Sequence, residues 1–179
     1  MTFRRVVTAK NASGKSVVVS DGTSPRELAL KHTPGFISAP MWTIADVPTL
    51  PFDGKDTMAG SGTLLQPAGG STFFVVTFPP DGVMMSPEFR PNLAGPEHLA
   101  AAPGIAETFE MDNPGMHTTP TVDYGVVLTG KITLELDDGV VVNLAAGDTF
   151  VQHGARHAWR NPNSEPATIA FVLIGAKVD

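Results

Sequence analysis

The last third of the chain is built from apolar runs too short for helices, each ended by a turn containing Gly, Asp or Asn, and that spacing leaves strands as the main local structure. Residues 126–136 and 140–144 flank Asp137-Asp138-Gly139. Asp-Gly between alternating apolar residues is a hairpin signal, because glycine supplies the positive φ that a tight turn needs. Within this hairpin Ile132, Leu134 and Leu136 fall on one face and Lys131, Thr133 and Glu135 on the other, the pattern of a hairpin buried on one side. Ala146-Gly147-Asp148 makes the next turn, 149–152 and 158–160 read as short strands, 161–166 as a turn and 168–174 as the closing strand. Strands of this length and spacing predict an all-β sandwich or barrel.

Upstream, residues 4–9 and 16–20 are β-branched runs around the turn 11–14, which predicts an N-terminal hairpin. Asn11-Ala12-Ser13 also matches a glycosylation acceptor, but it reads as part of that turn. Residues 36–44 and 71–78 are further strands, separated by a Pro- and Gly-rich stretch, 47–70, without periodicity and therefore a loop. Residues 79–114 are irregular, with short helices expected at 97–102 and around 105–111. A long connection in a compact domain is usually a lid or binding loop, and Met84, Met85, Phe89, His98, Phe109 and Met111 would give this one an apolar lining. The whole of 1–179 is expected to be one domain, with N-terminal strands and loops in 1–78, the lid in 79–114 and the core in 115–174.

Composition narrows the function. At 42% hydrophobic and 17% charged residues, the chain is too apolar for disorder, and 179 residues can bury a real core. A net charge of −6 without any Lys/Arg cluster argues against nucleic acid and favours a small-molecule ligand. There is no cysteine, so any metal must be held by nitrogen and oxygen ligands. No apolar run suits a signal peptide or a membrane span, which predicts a cytoplasmic protein with no membrane partner.

His117-Thr118-Thr119-Pro120-Thr121-Val122-Asp123, ending at Gly130, is followed by a second run from Gly147-Asp148 through His153-Gly154 to His157 and Asn161. Together these resemble the two signatures of the cupin superfamily, over residues 115–174. The first signature has two histidines one residue apart, then a glutamate and a glycine; here Thr119 stands at the second histidine and Asp123 at the glutamate. The second carries a Gly-Asp turn, a proline, a glycine and a histidine; here the turn before the histidine is one residue shorter, with His153 near the proline position. The resemblance implies a cupin-type antiparallel β-barrel, a jelly-roll-like double-stranded β-helix, with short helices in the lid. It also implies a metal held by His117, Asp123 and His157, and a homodimer, for which the N-terminal hairpin would offer a strand edge.

The residues themselves lead to a compatible site. In a regular strand His117, Thr119, Thr121 and Asp123 point the same way, and His157 and Trp159 share a face of a later strand. If both faces line the interior, two imidazoles and a carboxylate meet where unpartnered polar groups are costly, and a divalent ion is one way to satisfy them. Two histidines and one carboxylate leave open coordination positions and suit Fe(II), with Mn(II), Ni(II) or Zn(II) as other choices. Thr119, Gln152, Phe150, Trp159 and His98 complete the expected substrate pocket. His153 reads as a turn residue, His32 has no matching partner, and Tyr124 is expected to pack outside. Arg90 and Arg156 are candidates for a substrate carboxylate but more ordinarily surface charges.

The function these readings imply is a metal-dependent enzyme acting on a small organic substrate inside the barrel, with oxygenation of an aromatic or enol-type compound foremost; cupins also include decarboxylases, isomerases and lyases. A metal-free dehydratase, epimerase or cyclase, with His117 or His157 as base and Asp123 orienting it, is the second reading. A non-catalytic small-molecule binding protein is the third.

Overall fold

The computed structural model describes residues 2–178. Its strands are β1 (Arg4–Lys10), β2 (Ser16–Thr23), β3 (Leu28–Ala29), β4 (Ile37–Ile44), β5 (Ser71–Phe78), β6 (Thr121–Thr129), β7 (Lys131–Glu135), β8 (Val141–Ala145), β9 (Thr149–His153), β10 (Ala158–Arg160) and β11 (Ala167–Gly175), with one α-helix, α1 (Pro91–Ala101). Every strand pair is antiparallel. A six-stranded sheet in the order β3-β4-β5-β11-β6-β9 faces a three-stranded sheet, β10-β7-β8, and β1-β2 form a separate ribbon. The fold is an all-β antiparallel barrel, the architecture that the cupin resemblance implies.

The core fills the space between the two sheets. Phe74 and Val76 of β5, Val127 of β6, and Ile169, Phe171 and Leu173 of β11 alternate inward and meet Ile132 of the small sheet. Period-2 alternation places one apolar set on one face, which is why these strands lie flat on a common core.

The expected strand 126–136 is two strands. Gly130 lies at φ +77°, and a Cβ there would stand 2.4 Å from the carbonyl oxygen of Pro166. Only glycine fits, and the chain uses it to leave the large sheet as β6 and enter the small one as β7. Thr133, expected on the exposed face, is buried, and its hydroxyl donates to the side chain of Asn143 across the ladder at 2.8 Å.

The lid also differs from expectation. The helix expected at 97–102 starts at Pro91, in the first turn where proline's missing N–H costs nothing, and the one expected near 105–111 is a single 3-10 turn, Ala106–Thr108. Gly95 and Pro96 mask the first half of α1 in the sequence. Glu97 ties the helix down by accepting from the backbone N–H groups of Lys31 and His32 at 3.0 and 2.8 Å, and Ser38 donates to the Ala101 carbonyl at 2.8 Å. The aperiodic stretch 47–70 is loop except for a 3-10 turn at Thr57–Ala59, yet Met58 and Leu64 from it are fully buried. No helix among the described residues is long and apolar enough to cross a membrane.

Candidate functional site

His117 lies in the irregular segment before β6, and His157 just before β10. Each backbone N–H donates to the other's carbonyl at 2.9 Å, an isolated antiparallel bridge between two otherwise separate segments. Directly opposite residues on one face are nearest neighbours, so the imidazole centroids are 4.2 Å apart with the rings tilted by 49°.

Both rings are held the same way. His117 Nδ1 is 3.0 Å from the Gly115 carbonyl oxygen, and His157 Nδ1 is 2.8 Å from that of Ala155. A carbonyl only accepts, so each Nδ1 carries the proton and each Nε2 keeps its lone pair. Burial lowers the pKa of both; His157 is pushed down to about 4 by burial first and then by the neighbouring His117. At neutral pH the pair presents two uncharged acceptor nitrogens.

Asp123 points inward from β6, 6% exposed, and its Oδ1 has no hydrogen-bond partner. Burial raises its pKa, opposed by the hydroxyl of Thr121. Gln152 of β9 is its direct cross-strand neighbour, also buried, and neither atom of its amide has a partner. The Thr119 hydroxyl is buried 2.8 Å from that of Thr121.

A chamber between the sheets is lined by His117, His157, Asp123 and Thr119 at its polar end, with Trp159 and His98 among its aromatic walls. Trp159 packs edge-on against His157 at 5.9 Å. His98 reaches in from α1 beside Phe36 at 4.7 Å, its Nε2 3.2 Å from the Thr33 hydroxyl, and burial first of all depresses its pKa. Phe36, Phe78, Ile105 and Phe171 complete the apolar walls. The inward alternation of β5 and β11 carried the signal for Phe78 and Phe171; Ile105 lies in the lid.

Two expected pocket residues lie behind the wall. Phe150 packs beneath Trp159 and Phe171 at 4.9 and 5.7 Å, and Gln152 sits beyond Asp123; neither lines the chamber. Of the lid residues, His98 and Phe109 line it, Met84 and Phe89 line an adjoining outer cleft, and Met85 and Met111 are exposed. Arg156 is taken up by Glu110, in two bonds of 2.6 Å, and by Asp137 at 2.6 Å, which leaves it unsuited to a substrate carboxylate. Tyr124 faces outward, as expected; His153, expected in a turn, is instead the exposed last residue of β9, and Arg90 precedes α1.

The three expected metal ligands share the chamber but not a coordination sphere: among the described residues, no group of three or more His, Asp or Glu side chains is gathered closely enough to hold a metal. β6 begins only at Thr121, so the strict alternation that would align Asp123 with His117 does not extend across Pro120. Nor does Asp123 orient an imidazole; backbone carbonyls do that. The histidine pair, neutral and with free Nε2 atoms, suits a metal, whereas the carboxyl stands apart from it.

Comparison with known proteins covers the same part of the chain. Residues 110–174 match the family model for the Cupin domain. Phomopsin biosynthesis cluster protein C′ of Diaporthe leptostromiformis is 46% identical over 63 residues, 35% of this chain and 33% of that protein. The cupin-domain-containing oxidoreductase virC of Hypocrea virens is 34% identical over 65 residues, 35% of this chain and 34% of that protein. The matched stretch thus spans about a third of the length of these curated relatives. A solved Cupin 2 conserved barrel domain protein from Salinispora arenicola aligns over 83% of this chain and 82% of its own, with 14% identity and a TM-score of 0.42. Residues 110–174, which hold both histidines and the inward carboxyl, thus form a cupin domain.

Proposed function

We propose that this chain is an enzyme that binds a small, largely apolar organic substrate in the inner chamber and acts on it beside the His117–His157 pair. One observation carries the reading: two neutral imidazoles, each with its Nδ1 engaged by a backbone carbonyl, sit ring to ring in a chamber whose other walls are mainly aromatic and aliphatic. Such a wall supplies binding energy and water exclusion, and the two nitrogens supply the chemistry. The cupin-domain oxidoreductase and biosynthesis-cluster relatives point to oxidation of a small metabolite as the reaction class.

In the metal-dependent form of this reading, His117 and His157 are the protein's nitrogen ligands to a divalent ion, Fe(II) before Mn(II), Ni(II) or Zn(II), and Asp123 would have to turn toward them to join. When bound, such an ion supplies Lewis-acid or dioxygen chemistry. The chain's own part is to fix both ring tautomers, to pack substrate against Trp159, and to keep water out beneath α1.

A second reading, acid–base catalysis without a metal, is favoured by the separation of Asp123 from the imidazoles. Here a free Nε2 takes a proton from substrate, and the Asp123 carboxyl, held toward its neutral form by burial, donates to a substrate oxygen.

Metal content after Fe(II) reconstitution, measured on wild type, His117→Ala and Asp123→Ala and combined with oxygen uptake on phenols and diketones, separates the two. One equivalent of metal in wild type, lost in His117→Ala, with oxygen consumed, supports the metal form. Turnover by metal-stripped protein supports acid–base catalysis. If no small aromatic compound is bound or turned over, the proposal fails.

A further inference from the structure

The inner chamber opens into a second, roomier one. Phe36, Phe78, His98, Phe109, His117 and Trp159 line both, so these side chains form the neck between them. The outer chamber lies under the lid, with Met84, Phe89, Pro91 and Ala94 on its far side. Nothing fills it from within the described chain. Gly95, in the body of α1, also lines it, and a Cβ added there would meet nothing within 4 Å. A helix-interior glycine is costly relative to alanine, and no close contact here demands one; its effect is to leave the chamber wall open.

The charges around this space matter as much as its shape. Among the described residues the one cation lining it, Arg160, is committed: Nε donates to Glu135 at 2.6 Å, Nη1 to the Pro114 carbonyl at 2.6 Å, and Nη2 to Asn113. The other charged residue on the wall is Asp81, a carboxylate. Beyond the shared His98 and His117, the inner chamber adds His157 and the buried Asp123 and, among the described residues, no Lys or Arg. An anionic ligand would leave water for apolar surface without a free cation to meet it, which is strongly unfavourable.

We propose that the outer chamber is a subsite for the apolar tail of an uncharged aromatic ligand, whose hydroxyl- or carbonyl-bearing ring lies in the inner chamber beside His117 and His157. This rests on the inner-chamber reading above and adds the ligand's charge, its two-part shape and the residues that select it. Met84, Phe89 and Gly95 become specificity-determining positions, and carboxylated analogues are excluded by the charge arrangement.

The chain has two tryptophans, Trp42 and Trp159, and Trp42 lies outside both chambers. Trp42→Phe therefore leaves Trp159 as the sole fluorescent reporter of the neck. In that background, the probes are 4-alkylphenols from ethyl to octyl and the matching 4-alkylbenzoates, titrated at neutral pH. The expected result is a rise in phenol affinity of about two- to fourfold per added methylene until the chamber is full, with each benzoate at least about tenfold weaker than its phenol. Met84→Asp, at a half-exposed position where folding is insensitive, is expected to abolish the gain with chain length and leave 4-ethylphenol binding within about twofold. Gly95→Phe, which adds no second tryptophan, provides an independent block of the same space. Affinity independent of chain length in wild type, or preference for benzoates, would overturn the subsite. If 4-ethylphenol itself fails to bind wild type, the inner-chamber reading falls, and the subsite with it.

Discussion

His117 and His157 are each other's antiparallel partner, joined by two backbone hydrogen bonds of 2.9 Å that bring their imidazoles to 4.2 Å between centroids. The pair is a property of the backbone ladder, so replacing one ring leaves the other in place. His157→Gln and His117→Gln are each expected to fold, to cut turnover by at least about a hundredfold, and to show little further loss when combined, as residues acting as a unit do. Single and double variants compared by kcat/KM check this.

The depressed pKa of His157 makes stability depend on acidity in a defined window. The folded state holds this ring at about 4, against 6.5 for an ordinary histidine, so the unfolded chain binds the extra proton first. The stabilisation is complete above pH 6.5 and is lost as pH falls toward 4, about 3 kcal/mol in all at 1.36 kcal/mol per unit. Urea denaturation from pH 7 to 4 is expected to show this slope in wild type and a shallower one in His157→Gln.

Asp123 acts in the opposite sense. Burial raises its pKa, so as pH rises above the ordinary carboxyl value the unfolded chain gives up its proton more readily and the native state is penalised. Asp123→Asn, neutral at every pH, is expected to stabilise the apo protein at pH 7 and to have no such advantage near pH 3. Thermal melts at the two pH values measure the difference.

Gly125 leaves room for the ring beneath the chamber. A Cβ there would stand 2.0 Å from Cζ of Phe150, which supports Trp159 from below. Gly125→Ala is expected to cost about 1–3 kcal/mol and to shift Trp159 emission. Adding Phe150→Leu should recover part of the stability, read by denaturation and by fluorescence in the Trp42→Phe background.

Arg5 joins the N-terminal ribbon to the loop before β5. It is buried, paired with both carboxylate oxygens of Asp56, donates to the Met41 carbonyl at 3.1 Å, and holds the Asp56 carboxyl below its usual range. Arg5→Ala is expected to cost about 3 kcal/mol, because it strands a partly buried carboxylate, and Arg5→Met with Asp56→Leu less than the sum of the single changes. A double-mutant cycle in urea supplies the test.

How much of this was readable beforehand depended on the range of the interaction involved. Turn glycines, β-branched runs and alternating faces act within a few residues, and they announced the strands, the N-terminal hairpin, the outward Tyr124 and the two histidines that face the chamber. The split at Gly130 was missed because the carbonyl that forbids a side chain there comes from Pro166, on a distant turn. α1 was half hidden, since Gly95 and Pro96 weaken local propensity while Glu97 and Ser38 contacts secure the helix through residues far away in sequence.

By itself the sequence determined an all-β chain and the residue types at its polar centre, because period-2 patterning and side-chain chemistry are local quantities. Only the tertiary structure decided which of those residues stand together. His117 and His157 meet through a ladder between segments 40 residues apart in number, whereas Asp123, six positions from His117, pairs in register with Gln152 of β9 once the strand is interrupted at Pro120. Proximity inside a folded sheet follows hydrogen-bond register between strands, and that register is set by the packing of the whole barrel.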